Sequence, residues 1–152
     1  MRRSETFSVS IQTSFEKAWA FISNPENLHR WTVDFATSPP EKVGDLYKVK
    51  TPRGVLELFV KGDRETGVID FYYGTEGRYN CSPSRLLQND GGVVYIFTQF
   101  EPAGAPPGLF EKLISNVKQE LQLLKEQLES QAISQLLLTP YASRLLMLNA
   151  DG

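Results

Sequence analysis

Between Thr6 and Ile11 apolar and polar residues alternate, with Phe7, Val9 and Ile11 on one side and Thr6, Ser8 and Ser10 on the other. A period of two predicts a half-buried strand whose odd positions face a core. From Thr13 the period lengthens, and Phe15, Ala18, Trp19 and Ile22 recur at helical spacing. Thr13 followed by Glu16 predicts a capping box, in which side-chain oxygens take backbone N–H groups left unpaired at a helix start. Ser23-Asn24-Pro25-Glu26 interrupts this helix and opens a second short one. Asn24 is its expected N-cap, and Pro25 occupies the first helical position, where a missing N–H is no loss. The second helix carries Leu28 and Trp31.

From Val33 to Glu101 the helical period disappears, and alternating or aromatic-rich runs are punctuated by Gly, Pro, Asp and Asn. Strands are expected over Val33 to Ser38, Gly44 to Thr51, Gly54 to Lys61, Gly67 to Gly74, Gly77 to Asn89 and Gly92 to Glu101. Links this short join antiparallel neighbours, so the run reads as a meander. After Pro106-Pro107-Gly108, Phe110, Leu113, Ile114, Val117, Leu121, Leu124 and Leu128 recur at steps of three and four. That stripe predicts a long amphipathic helix from Gly108 to Ser130, with Lys112, Asn116, Lys118, Gln119, Gln122, Lys125, Glu126 and Glu129 on its water-facing side. At 1.5 Å per residue it spans about 35 Å, enough to cover one face of a sheet that would otherwise stay wet. The expected division is a domain over residues 1–130 and a leucine-rich extension over 131–152, broken by Thr139-Pro140.

Composition narrows the chemistry. The chain has 152 residues, a length that suits a single core. Its 41% hydrophobic and 11% aromatic content is that of a packed globule rather than a disordered chain. One Cys and one His supply neither an internal disulfide nor a closed zinc site, so no metal and no cofactor is expected. With 16 basic against 18 acidic residues there is no charge excess for gripping a nucleic-acid backbone. Neither a secretory h-region nor an apolar run of membrane-spanning length is visible, and the expectation is a cytoplasmic protein. No Gly-rich phosphate loop and no G-x-S-x-G turn occurs.

The run Phe7-Ser8-Val9-Ser10-Ile11, then Ser14-Phe15-Glu16-Lys17-Ala18-Trp19-Ala20-Phe21-Ile22-Ser23, then Asn24-Pro25-Glu26-Asn27-Leu28-His29-Arg30-Trp31 resembles the opening of the START-like, or helix-grip, superfamily. Within it the similarity is to the polyketide cyclase/dehydrase and lipid-transport group, related to the pollen-allergen fold. The resemblance covers about residues 5–130 in layout and implies an α+β architecture. That architecture has a curved antiparallel sheet of six to seven strands, two short helices after the first strand, and a long C-terminal helix across the concave face. It also implies a cavity for apolar ligands between sheet and helix. The single His and single Cys cannot reproduce the iron ligand sets of the ring-hydroxylating oxygenases of that superfamily.

Three functions follow as expectations. The first is binding of a small hydrophobic or aromatic molecule, lipid or polyketide-like, in that cavity. Its expected walls are Trp31, Phe35, Tyr47, Asp70, Tyr72, Tyr79, Tyr95, Phe97, Phe110, Leu113, Val117 and Leu121. The tyrosines offer flat apolar bodies with one O–H each, and the helix residues either line a hole or fill it. The second is a cyclase, aromatase or dehydratase using the same cavity, with His29 or Asp70 moving protons. Asp70 interrupts an apolar run, as Glu57 does, and the outward orientation is the favoured reading for both. The third is a protein-interaction module, motivated by the leucine-rich tail, with a homodimer as its simplest form. Cys81 reads as a small buried hydrophobe rather than a nucleophile.

Overall fold

A computed structural model describes residues 1–137. Strand β1 (Ser4–Ile11) leads into helix α1 (Phe15–Ile22) and a 3-10 helix (Pro25–Arg30). Seven strands follow: β2 (Glu41–Val43), β3 (Leu46–Thr51), β4 (Gly54–Asp63), β5 (Val68–Thr75), β6 (Arg78–Ser82), β7 (Ser84–Asn89) and β8 (Gly92–Phe100). Helix α2 (Leu109–Leu137) closes the described chain. The eight strands form one antiparallel sheet in the order β1-β8-β7-β5-β4-β3-β2, with β6 paired to β5 beside β7. The first strand therefore pairs with the last, with Phe7 opposite Phe97 and Ile11 opposite Val93.

Sequence and structure part at several places, and a short strand, β2, forms at Glu41–Val43 where none was expected. The cap of α1 is Ser14, whose hydroxyl accepts the Lys17 N–H at 3.2 Å, and not Thr13, whose Oγ1 is buried without a partner among the described residues. No strand forms at 33–38: Asp34 has φ 55° and the Ala36 N–H turns back to the Thr32 hydroxyl at 3.3 Å, so local hydrogen bonds replace a ladder. The expected strand Gly77 to Asn89 is divided at Pro83, which has no N–H to give a partner strand. Helix α2 continues to Leu137, so the division at 130 falls inside a continuous helix. The rest of the leucine-rich tail, with its proposed dimer contact, lies outside the described residues. The second short helix, by contrast, has its expected cap: Asn24 Oδ1 accepts from Glu26 N at 3.1 Å.

Strand parity decides which side chains meet α2. On β5, Ile69, Phe71 and Tyr73 face the helix, and on β4 their register partners include Val60 and Leu58. On β8 the inward set is Val93, Tyr95, Phe97 and Gln99, every second residue and all buried. Helix α2 returns Val117, Leu121, Leu124 and Leu128 to this core, and Leu124 and Leu128 are fully buried. The Arg3 guanidinium, just ahead of β1, pairs with Glu111 of α2 at 2.7 Å and with Glu101 beyond β8, pinning the start of the helix to the sheet. Gly67, at φ 77°, lets the turn after β4 lie against β7, where a Cβ would stand 1.9 Å from the Leu86 carbonyl oxygen.

Candidate functional site: a cavity beneath helix α2

The two halves of α2 meet the sheet differently. Around Leu121, Leu124 and Leu128 the seam is filled, whereas nearer the N-terminus Leu113, Asn116, Val117 and Glu120 bound a void. The space that the centre of a water molecule can reach there is about 100 Å³, and the cavity is partly open to solvent. The sheet supplies Leu58, Phe71, Tyr73, Ser82, Phe97 and Gln99. The third wall is the segment from the 3-10 helix onward, with Leu28, Trp31, Thr32, Val33, Asp34 and Phe35. The irregular backbone at 32–36 matters here, because it carries Val33 and Phe35 to the mouth instead of into a sheet ladder.

Aromatic rings make up much of the wall and hold one another in place. Trp31 lies edge-on to Phe71 and to Tyr95, both at 6.5 Å between centroids, and Phe35 lies edge-on to Tyr73 at 6.0 Å. Such edge-to-face pairs favour one arrangement of the rings over a fluid one. Trp31 is 3% exposed, and its Nε1 has no hydrogen-bond acceptor among the described residues.

The charged groups are few and of one sign: among the described residues Asp34 and Glu120 line the cavity, and no Lys, Arg or His does. Asp34 at the mouth is paired with Lys112 at 3.5 Å. The Glu120 carboxylate accepts the Val33 N–H at 3.1 Å, which ties α2 to the loop after the 3-10 helix. Burial nonetheless dominates, pushing its pKa up to about 8 against the opposing effect of that hydrogen bond, and the charge of Asp34 adds to the rise. The Tyr95 phenol is likewise pushed far up, first by burial, and its hydroxyl has no partner among the described residues.

Of the residues expected from sequence, the cavity brings together Trp31, Phe35, Phe97, Leu113 and Val117. Tyr95 is buried immediately behind Trp31, in the core rather than at the wall. Tyr47 packs on the inner face further along β3, and Leu121 lies beyond the cavity in the filled half of the seam. Phe110 sits at the start of α2 under the Arg3 guanidinium, 4.7 Å from its ring centre. Tyr72 and Tyr79 are on the opposite face of the sheet, where Tyr72 stacks on Phe59 at 4.9 Å and Tyr79 meets Phe59 edge-on at 5.1 Å. Asp70 shares that outer face, opposite Lys61 in the register, the orientation favoured from sequence. Burial raises the pKa of outer-face Cys81, and Tyr72 opposes the rise. His29 lies in the 3-10 helix outside the cavity wall, with Nδ1 buried and unpartnered among the described residues.

Sequence reasoning passed over Glu120 and placed Asn116 in solvent, yet Asn116 is 7% exposed and both line the cavity. The signal was present, since Leu113, Asn116, Val117 and Glu120 follow the i, i+3, i+4, i+7 spacing of one helix face.

No family model matches the chain, and no curated protein matches it in sequence. Solved structures do. The Aha1 dimer from Colwellia psychrerythraea is 15% identical, with a TM-score of 0.66 over 84% of this chain and 96% of that one. DynU16, from the dynemicin biosynthetic locus, is 15% identical, with a TM-score of 0.60 over 83% of this chain and 47% of that one. Ara h 8.0201 is 12% identical, with a TM-score of 0.59 over 86% of this chain and 99% of that one. This is the helix-grip fold. At such identities the helix-grip likeness speaks for architecture and not for activity. Among the described residues no helix is long and apolar enough to cross a membrane, and no cluster of three or more His, Cys, Asp or Glu is placed to hold a metal.

Proposed function

We propose that this helix-grip chain binds a small, largely apolar molecule in the cavity beneath the N-terminal half of α2. The observation that supports this is a void left in an otherwise tightly filled seam, walled by Trp31, Phe35, Phe71, Tyr73 and Phe97. Protein cores rarely leave room for more than a water molecule, and an engineered cavity of roughly 150 Å³ is enough to take up benzene. At about 100 Å³ the space is smaller than that, so a single ring has to use the partly open mouth as well, and a polyketide-length chain or a lipid needs the mouth at 32–36 to open further. Burying ~200 Å² of apolar ligand surface contributes about 5 kcal/mol before the cost of immobilisation, which corresponds to useful affinity without any reaction. A cyclase or dehydratase working in the same space would call on Glu120 sooner than on Asp70 or His29, because Glu120 lines the cavity and they do not.

Val117→Phe tests the reading. The added ring fills the void from the helix side, so the variant should keep its thermal transition and lose uptake of a single-ring probe such as fluorobenzene, followed by fluorine NMR line broadening. Equal broadening by both proteins, or none by the wild type, would refute binding in this cavity.

A further inference from the structure

Resting on that reading, we propose that the cavity takes an uncharged ring compound bearing a hydroxyl group, which is held by Asn116 of α2 together with Gln99 and Ser82 of the sheet. All three residues line the cavity, and Asn116, Gln99 and Ser82 are only 7%, 6% and 4% exposed. The Asn116 amide makes no side-chain hydrogen bond among the described residues. The unpartnered polar atoms that are fully occluded there belong to Thr13, His29, Trp31 and Tyr95, so both polar atoms of Asn116 keep some open surface. On a residue so nearly buried that surface faces the cavity it lines. The same holds for the Ser82 hydroxyl and for Gln99 Oε1. Gln99 Nε2 donates to the Phe100 carbonyl at 2.8 Å, which fixes the orientation of that amide and leaves its oxygen as the unpaired end.

Register sets two of the three side by side. Ser84 pairs with Phe97, and the Thr98 N–H donates to the Pro83 carbonyl at 3.1 Å, so one register runs on past β7 and brings Ser82 next to Gln99. Ser82 also stands opposite Phe71, one of the rings of the wall. Asn116 enters the same space from the helix side. Elsewhere in the wall the Thr32 hydroxyl already donates to the Leu28 carbonyl at 2.7 Å. Among the described residues the open set therefore offers acceptors at Gln99 Oε1 and Asn116 Oδ1, a donor at Asn116 Nδ2, and a Ser82 hydroxyl that serves as either. A ligand carbonyl leaves the acceptors unmet, and an ammonium leaves the donor unmet. A carboxylate meets Asp34 and Glu120 with no basic residue in the wall. A hydroxyl gives one proton and accepts another without charge, so it answers both kinds of group.

The test uses the full chain and four single-ring probes: 4-fluorobenzyl alcohol, 1-ethyl-4-fluorobenzene, in which a methyl replaces the hydroxyl, 4′-fluoroacetophenone and 4-fluorobenzylamine. Affinities are read by fluorine NMR for the wild type and for Asn116→Leu, which keeps the bulk of the side chain and removes its amide. One neutral hydrogen bond gained or lost corresponds to about three- to tenfold in affinity. The wild type should hold the alcohol more tightly than the ketone by about that factor, and more tightly than the amine. In Asn116→Leu the ratio of alcohol to ethyl-compound affinity should fall about three- to tenfold, with the ethyl compound unchanged or tighter. Ser82→Ala, a smaller change, should move the ratio in the same direction. Without ligand, Asn116→Leu should keep or raise the thermal transition, because the amide it removes has no partner among the described residues. A residue present for structure alone would behave in reverse, with a lowered transition and an unchanged ratio.

An alcohol-to-ethyl ratio that stays the same in both variants overturns the hydroxyl assignment while leaving the cavity in place. Should Asn116→Leu not fold, the ratio in Ser82→Ala decides alone. Ketone held as tightly as alcohol overturns the assignment in favour of a pure acceptor, and amine held more tightly overturns it in favour of a cation. If none of the probes binds the wild type, the cavity reading fails along with it.

Discussion

Glu120→Gln should change how stability depends on pH, and the size of the change follows from the cavity. Burial moves the Glu120 pKa from 4.5 to about 8 in the folded protein. In the unfolded chain the group gives up its proton near the ordinary value, so between about pH 4.5 and 8 the folded state binds more protons than the unfolded one. Stability from this group is therefore fully present below pH 4.5 and is lost as pH rises through about 8. At about 1.4 kcal/mol per pKa unit the ceiling is about 5 kcal/mol. Water entering at the partly open mouth screens the ionised form, and a loss of about 2–3 kcal/mol is expected in practice. For a chain of this size that corresponds to about 5–10 °C in Tm between pH 5 and 9. The glutamine variant carries no ionisable group there and should lack this descent. Glu111 and Glu129, held low by Arg3 and Lys125 respectively, act in the opposite sense, but only below their ordinary range and so outside this window. Differential scanning calorimetry of both proteins at pH 5, 6, 7, 8 and 9 supplies the comparison. Parallel curves for wild type and variant would show that Glu120 ionises in the folded protein as it does in the unfolded chain, and the account of Glu120 as a buried acid at the cavity wall would fail.

Other substitutions probe the elements that position the cavity. Ser14→Ala removes the observed cap of α1 and should cost about 1 kcal/mol in urea unfolding, whereas Thr13→Val replaces a buried, unpartnered hydroxyl and should leave stability unchanged or raised. The opposite ranking would restore Thr13 as the cap. Gly67→Ala puts a Cβ against the Leu86 carbonyl at a residue with φ 77° and should cost about 3 kcal/mol or more; a loss under about 1 kcal/mol by chemical denaturation would mean that β4, β5 and β7 are not joined as described. Leu128→Ala, in the filled half of the helix–sheet seam, should destabilise by about 2–5 kcal/mol without altering uptake of a single-ring probe, and a matching loss of uptake in the folded variant would place the ligand elsewhere along α2.

The architecture was legible because each of its main elements writes its own period. Phe7, Val9 and Ile11 alternate, Phe15 to Ile22 repeats at helical spacing, and the stripe from Phe110 to Leu128 can be satisfied only by covering a sheet. The walls of the cavity were less legible, for two physical reasons. On β4 and β5 both faces carry large apolar side chains, so Tyr72 and Tyr79, which build an outer aromatic cluster with Phe59, read the same as Tyr73, which faces the cavity. Pairing register, and not composition, separates them. On α2, Asn116 was read by chemical type as belonging to water and Glu120 was passed over, although their spacing from Leu113 and Val117 puts both on the buried face. Gln99 poses the same choice on β8, where it continues the inward parity of Val93, Tyr95 and Phe97 and is 6% exposed. A polar side chain in phase with a core stripe cannot be matched by a solid apolar core, since its desolvation would go uncompensated. It calls for either an internal partner or a space in which a ligand supplies one. Glu120 has the Val33 N–H for one carboxyl oxygen and cavity in front of it, and that combination distinguishes a wall with a chemical preference from a defect in packing.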